Sequence, residues 1–306
     1  MSKLEDNFII IHHFPCPDGE LSAAIFKKEK IGSSNNCIFI PWLHEKKEEI
    51  TECIIEKVKL GKYKVYFLDY CPSYQLLEDI NDYVAYVKVL DHHQAACLEL
   101  IEILNNKPLS KVEMIFNNKK SGCQITWEYF NLDKEYPLAV KHIGNKDIWN
   151  WEDENTEPFT NEYPVYFSLK SELTPEERLD IYLQVLDCPL DKFARIVEKG
   201  NINIGKMRKE CLKLLPLAEF TVDTDNNGKE LSVVDIPMKK YHLTKYITEL
   251  VEKEHPEYQV LRLKYDKPGK IVYSLRSLKK EIRVDLLAQK YGGNGHAAAS
   301  GYNLNI

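Results

Sequence analysis

Residues 87–93 read Val87-Lys88-Val89-Leu90-Asp91-His92-His93, an apolar run that stops at three residues able to hold a proton or a metal ion. Two other stretches have the same form. Phe8-Ile9-Ile10-Ile11 runs into His12-His13, and Val65-Tyr66-Phe67-Leu68 runs into Asp69. Short runs of β-branched and aromatic residues separated by helical periodicity predict buried strands of a parallel sheet. The intervening periodicity predicts helices over Leu21 to Lys30 and over Glu45 to Lys59. Ligands of open parallel sheets bind outside the carboxyl ends of the strands. Three polar strand ends would therefore converge on one place. Imidazole mixed with carboxylate suits Mn2+, Fe2+, Zn2+ or Mg2+ better than a structural thiolate site would. The expectation is a metal centre.

Further motifs follow in order. His13-Phe14-Pro15-Cys16-Pro17-Asp18-Gly19 leads into Leu21-Ser22-Ala23-Ala24, and Ser121-Gly122-Cys123-Gln124 reads as a helix start. Asp147 lies in Asn145-Lys146-Asp147-Ile148-Trp149. Near the C-terminus stand Tyr273-Ser274-Leu275-Arg276-Ser277 and Gly292-Gly293-Asn294-Gly295-His296-Ala297-Ala298-Ala299-Ser300-Gly301. With Asp91-His92-His93, this ordered set resembles the DHH phosphoesterases that carry a C-terminal DHH-associated (DHHA1) domain, in the subset with a His-x-x-Cys-x-Asp-Gly first motif.

The resemblance implies a parallel-sheet α/β domain over 1–170, a helical linker over 171–220 and a smaller α/β substrate-binding domain over 221–306. It also implies two metal ions, usually manganese, bridged by Asp69. One ion would take His13 and Cys16 as well, and the other Asp18, His92 and Asp147. His93 would face the substrate phosphate, with Asp91 orienting His92 from behind, as ligating imidazoles generally require. Asp69, Asp91 and His93 are thus the expected catalytic residues. Two cations roughly 3.5–4 Å apart can polarise a phosphoryl group and activate water. Many family members have Asp where this chain has Cys16; a thiolate favours softer metals, and the change could instead weaken one site. Two alternatives stay open at this level. Asp18 and Glu20 form a competing carboxylate pair, and His12 competes with His13, because successive strand residues point opposite ways.

In the C-terminal part, Leu231 to Val234, Tyr258 to Leu263 and Lys270 to Leu275 read as strands, with helices over His242 to Lys253 and Val284 to Lys290. Clustered glycines expose backbone N–H groups to a ligand, and an Arg fork donates two parallel hydrogen bonds to phosphate. Gly292, Gly293, Gly295, His296, Arg276 and Ser277 are the expected substrate-binding residues. Trp127, Trp149 and Trp151 read as packing in the core or between domains, and the cysteines other than Cys16 as buried thiols.

The chain has 306 residues, 41 Lys and Arg against 47 Asp and Glu, and a net charge of −6, which argues against long duplex DNA as a partner. Residues 231–306 alone hold 13 Lys and Arg against 8 Asp and Glu, a local +5 suited to gripping phosphate. The apolar run Phe8 to Ile11 is too short for a signal-peptide core, no stretch suits a membrane span, and a cytoplasmic setting is expected. The expected substrate is a short single-stranded oligonucleotide or a small nucleotide phosphate. A cyclic dinucleotide, polyphosphate, or nucleotide binding without turnover are the alternatives, and a homodimer stays open.

Overall fold

The computed structural model describes residues 7–31, 36–162 and 173–305. They form two compact units, 1–201 and 202–306. The first is built on five parallel strands, β1 (Asn7–His13), β2 (Asn36–Trp42), β3 (Lys64–Leu68), β4 (Tyr86–Asp91) and β5 (Val112–Phe116), in the order β2-β1-β3-β4-β5. Both faces are covered, so the central strands are apolar throughout instead of alternating with polar residues. Odd-numbered residues (Ile9, Ile11, Val65, Phe67, Val87, Val89) pack against α2 (Lys47–Lys59), α3 (Tyr74–Asn81) and α4 (Gln94–Asn106). Even-numbered residues (Phe8, Ile10, Tyr66, Leu68, Leu90) pack against Phe26 of α1 (Pro17–Ile31) and Ile125 of α5 (Gly122–Phe130). The sheet order reverses between β1 and β3, the kind of crevice in which open α/β sheets bind ligands.

The other face of α1 (Leu21, Ala24, Ile25) packs into a helical layer. That layer contains α6 (Leu138–Asp147), α7 (Thr156–Glu162), α8 (Pro175–Leu186) and the start of α9 (Leu190–Leu214). A fully buried ion pair fixes α8 to α1. The Arg178 guanidinium donates from Nε and Nη2 to the two Glu20 oxygens at 2.5 and 2.6 Å, and its flat face lies 4.5 Å from the Phe14 ring centre. Glu20 is thereby turned away from the strand ends.

The second unit holds a mixed sheet of β6 (Glu219–Thr224), β7 (Glu230–Pro237), β8 (Val260–Lys267), β9 (Lys270–Ser277), β10 (Asn294–Gly295) and β11 (Ala299–Asn305), in the order β10-β11-β9-β8-β7-β6. Only β7 and β8 pair in parallel. One face packs on α10 (Thr244–Glu254) and the end of α9, the other on α11 (Val284–Lys290). Arg262 bonds Asp235 and Asp223, and Asp223 also accepts from Lys290 and Tyr291, so one network ties β6, β7, β8 and α11. No helix among the described residues is long and apolar enough to cross a membrane.

Candidate metal centre

The three polar ends sit on adjacent strands. His13 ends β1, Asp69 follows β3, and Asp91 ends β4 with His92 and His93 beyond it. Asp69 has a left-handed backbone (φ 54°), rare for a residue other than glycine and a feature that concentrates at functional sites. Its N–H donates to Leu90 O at 2.9 Å, which fixes the turn. The N-terminus of α5 presses directly against it. A Cβ added to Gly122 would lie 2.5 Å from Asp69 Cβ, so only glycine fits there.

Asp18, in the first turn of α1, is buried, and its carboxylate accepts backbone N–H groups from Gly122 (2.6 Å) and Cys123 (3.0 Å). These are donors that a helix start leaves unsatisfied, and they favour an anion. Ser121 and Gln124 complete a capping box on the same turn. The sequence marked 121–124 as a helix start; nothing in it linked that start to a carboxylate a hundred residues earlier.

Among the described residues, donor atoms gather in four sets, each within 4.8 Å. Two hold the expected ligands: His13, Cys16 and Asp69, and Asp18, His92 and Asp147. A third joins Asp69 to Asp91, His92 and His93, and the fourth is Cys71, Asp91 and Cys97. His13 Nδ1 is 3.3 Å from Asp69 Oδ2. His92 Nε2 lies 3.2 Å from Asp69 Oδ1, 3.2 Å from Asp147 Oδ2 and 3.9 Å from Asp18 Oδ2. His12 is buried beside Phe14 and outside these sets, and Glu20 belongs to Arg178. Of the two open alternatives, the structure therefore gathers His13 and Cys16–Asp18.

Asp91 departs from expectation. Its Oδ1 accepts from the His93 ring at 2.8 Å, while from His92 it accepts the backbone N–H at 2.7 Å, also on Oδ1. The chain turns so sharply after β4 that the His93 ring, not that of His92, folds back onto the carboxylate. Asp91 Oδ2 accepts the Cys97 thiol at 3.2 Å, and Cys71 joins the same cluster. Cys37, Cys53, Cys71 and Cys188 are half-buried, so the expectation of buried thiols holds only for Cys97, Cys123 and Cys211.

The electrostatics call for positive charge. Burial, then the neighbouring Asp69 and Asp147, push the Asp18 carboxyl well up. Burial and Asp69 also raise Asp147. Burial would raise Asp69 too, but the His13 and His92 rings outweigh it and hold it below the usual carboxylate range. Burial works against a charged His92, yet its carboxylates raise it to about 9. The hydrogen bond to Asp91 raises His93. Burial, then Asp69 and Asp18, push the Cys16 thiol up, against the ionised form that a metal would need. Asp69 Oδ1 is buried and makes no aligned hydrogen bond among the described residues. An orphaned carboxylate oxygen between two clusters of N, O and S donors fits divalent cations. The acidic and His clusters could hold metal ions.

A cavity of about 260 Å³ opens beside this cluster, sharing Asp18 and Asp147 with it and walled by Ile143, Lys146, Trp149 and Trp151. Trp127 is buried as expected, but Trp149 is 75% exposed, a correction to its reading as packing.

In the second unit, β11 pairs Ala299 with Arg276 of β9, and the 296–299 turn closes through paired His296 and Ala299 backbone bonds. This brings Arg276, Ser277 and His296 to one end of that sheet. Ser277 N–H donates to Ala298 O, and its Oγ donates to Lys279 O. Arg276 Nη1 bonds Ser274 Oγ and Leu275 O, leaving His296 exposed at the tip. Gly292 (φ 74°) and Gly295 (φ 143°) carry the backbone through conformations that favour glycine.

No family model matches the chain. An uncharacterized protein of Acanthamoeba polyphaga mimivirus is 28% identical over 312 residues, covering 96% of this chain; the chain spans about two thirds (66%) of that relative's length. Among solved structures, a DHH domain described as a member of the s1p family of ribosomal proteins matches with TM-score 0.57 and 14% identity, covering 97% of this chain and 82% of that one. The pGpG-specific phosphodiesterase of Vibrio cholerae matches with TM-score 0.51 and 14% identity, covering 99% and 94%. The exonuclease RecJ bound to manganese matches with TM-score 0.50 and 12% identity, covering 98% and 86%. The chain has the fold of DHH-domain proteins.

Proposed function

We propose that the protein is a metal-dependent phosphoesterase acting on short oligonucleotides or small nucleotide phosphates. The observation that carries this reading is one buried carboxylate, Asp69, which groups with His13 and Cys16 and lies 3.2 Å from His92 of the set that holds Asp18 and Asp147, at a sheet's switch point. His13, Cys16 and Asp69 would hold one divalent cation, manganese by preference, and Asp18, Asp69, His92 and Asp147 a second. Such a pair, when bound, supplies Lewis-acid polarisation of a phosphoryl oxygen and lowers the pKa of water.

The chain's own residues do the rest. Asp91 fixes the His93 ring and favours its cationic form, which suits it to neutralise charge developing on a phosphoryl oxygen. Backbone N–H groups at the start of α5 hold the Asp18 carboxylate in place. Arg276, Ser277 and the turn through Gly292, Gly293, Gly295 and His296 are proposed as a phosphate-recognition element of the second unit. The activities named for the Vibrio phosphodiesterase and for RecJ, both on this fold, support the reaction class.

The test is hydrolysis of a chromogenic phosphodiester. Turnover stimulated by Mn2+ and abolished by Asp69→Ala is expected. Nucleotide binding without turnover under any divalent cation would replace catalysis with a binding role, the outcome that an un-ionised Cys16 favours.

A further inference from the structure

We propose that Trp149 is the stacking platform for a nucleobase of the substrate, in the cavity beside Asp18 and Asp147. The proposal rests on the reading above, in which those two carboxylates help hold a cation that would bind the substrate's phosphate.

The first observation is local backbone. Helix α6 ends in a Schellman motif: Asn150 N–H donates to Asn145 O at 2.8 Å and Trp149 N–H to Lys146 O at 3.1 Å. The residue between those bonds must be left-handed, and Trp149 has φ 57°. Glycine is the usual occupant, because a bulky side chain there crowds its own backbone. An indole at this position works against the helix end, and its ring gains little from burial, being 75% exposed. Strain with no packing return points to a role in binding.

The second observation is the cavity. It is smaller than the roughly 300–1,000 Å³ of pockets for drug-sized molecules, which suits one ring system. Two indoles line it, with centres 6.0 Å apart at 79°, so a planar ligand can stack on one and meet the edge of the other. It shares Asp18 and Asp147 with the candidate metal cluster, so a base held there would belong to the molecule whose phosphate the cluster binds. Inorganic polyphosphate has nothing to offer such a surface; a nucleotide does.

All four tryptophans, Trp42, Trp127, Trp149 and Trp151, lie in the first unit, and Trp149 is the one exposed. Titration of the Mn2+-loaded full chain with adenosine 5′-monophosphate or ribose 5-phosphate, followed by tryptophan fluorescence and calorimetry, tests the proposal. The expected result is tighter binding of the base-bearing compound, with quenching. Trp149→Gly should weaken binding of adenosine 5′-monophosphate roughly 5- to 150-fold, as loss of one base stack does, and leave ribose 5-phosphate unaffected. Relief of the left-handed strain should leave Tm unchanged or raise it by roughly 2–4 °C. Trp149→Asn, which also tolerates this backbone, should repeat the binding loss.

Equal affinity of the two compounds for the wild-type chain would overturn this proposal alone. So would unchanged binding of adenosine 5′-monophosphate by both variants. A several-degree fall in Tm for both would overturn it too, by making the ring structural. Failure of both compounds to bind would overturn the phosphoesterase reading along with it.

Discussion

Replacing Arg178 with Met should unfold the first unit far more easily than any surface substitution. The guanidinium and the Glu20 carboxylate are 4% and 2% exposed, joined by two hydrogen bonds of 2.5 and 2.6 Å. Methionine keeps much of the aliphatic volume against Phe14 but leaves the carboxylate buried without a partner. Breaking a buried pair on one side costs about 3–5 kcal/mol, a large part of the roughly 5–15 kcal/mol that stabilises a typical domain. The unfolding constant should rise by about two to nearly four powers of ten. Replacing both partners, Glu20→Leu with Arg178→Met, removes the orphaned charge and should recover most of the loss. Urea denaturation followed by tryptophan emission isolates the effect, since every tryptophan is in this unit. A loss below about 1 kcal/mol for Arg178→Met, or a double variant no better than the single, would show that this pair is not desolvated and that the reasoning is wrong.

Three further outcomes follow from the same geometry. Gly122→Ala would drive a Cβ into Asp69, so turnover should fall at least about 100-fold, with a stability loss of about 1–3 kcal/mol measured by denaturation. His142 is buried against Phe159 and Phe193, bonded to Thr156, with Asp153 and Lys141 the charged groups nearby; burial lowers it to about 4. Its unfolded form takes up a proton near 6.5, so its contribution is complete above that pH and is lost as pH falls toward 4. The loss is at most about 3 kcal/mol, and His142→Phe should flatten the stability profile over that window. Arg262→Leu leaves Asp235 and Asp223 facing each other without the guanidinium, and should lower the second unit's stability by about 2–4 kcal/mol, read by circular dichroism because that unit has no tryptophan.

The central strands were legible because burial on both faces makes each a continuous apolar run, and their polar ends stood out against that. The edges were not. Strand β2 carries Pro41 and begins with Asn36, tolerable because it borders the sheet, and such a strand lacks the strong pattern. Strand β11 (Ala299–Asn305) buries little besides Ser300 and Tyr302 and is held mainly by its ladder to β9, which no local pattern announces. At the site, residue types and order along the chain were readable, but which atoms meet was not. Asp91 turning to His93, and Glu20 to Arg178, depend on side-chain directions set by tertiary packing. Trp149 read as core because an aromatic residue beside a helix end usually is; its left-handed backbone is invisible in a sequence that lacks glycine there.

Asp18 meets the N-terminus of α5 through two peptide groups, which fix its carboxylate. Asp91 is fixed likewise, by the His92 backbone and the Cys97 thiol. Hydrogen bonds within the chain therefore help to position these two carboxylates. Chelation should empty the donor cage without melting its walls. Cations could then exchange in the native state, so that the ion in residence would follow availability in solution, and activity lost to a chelator would return on adding metal, with no refolding step.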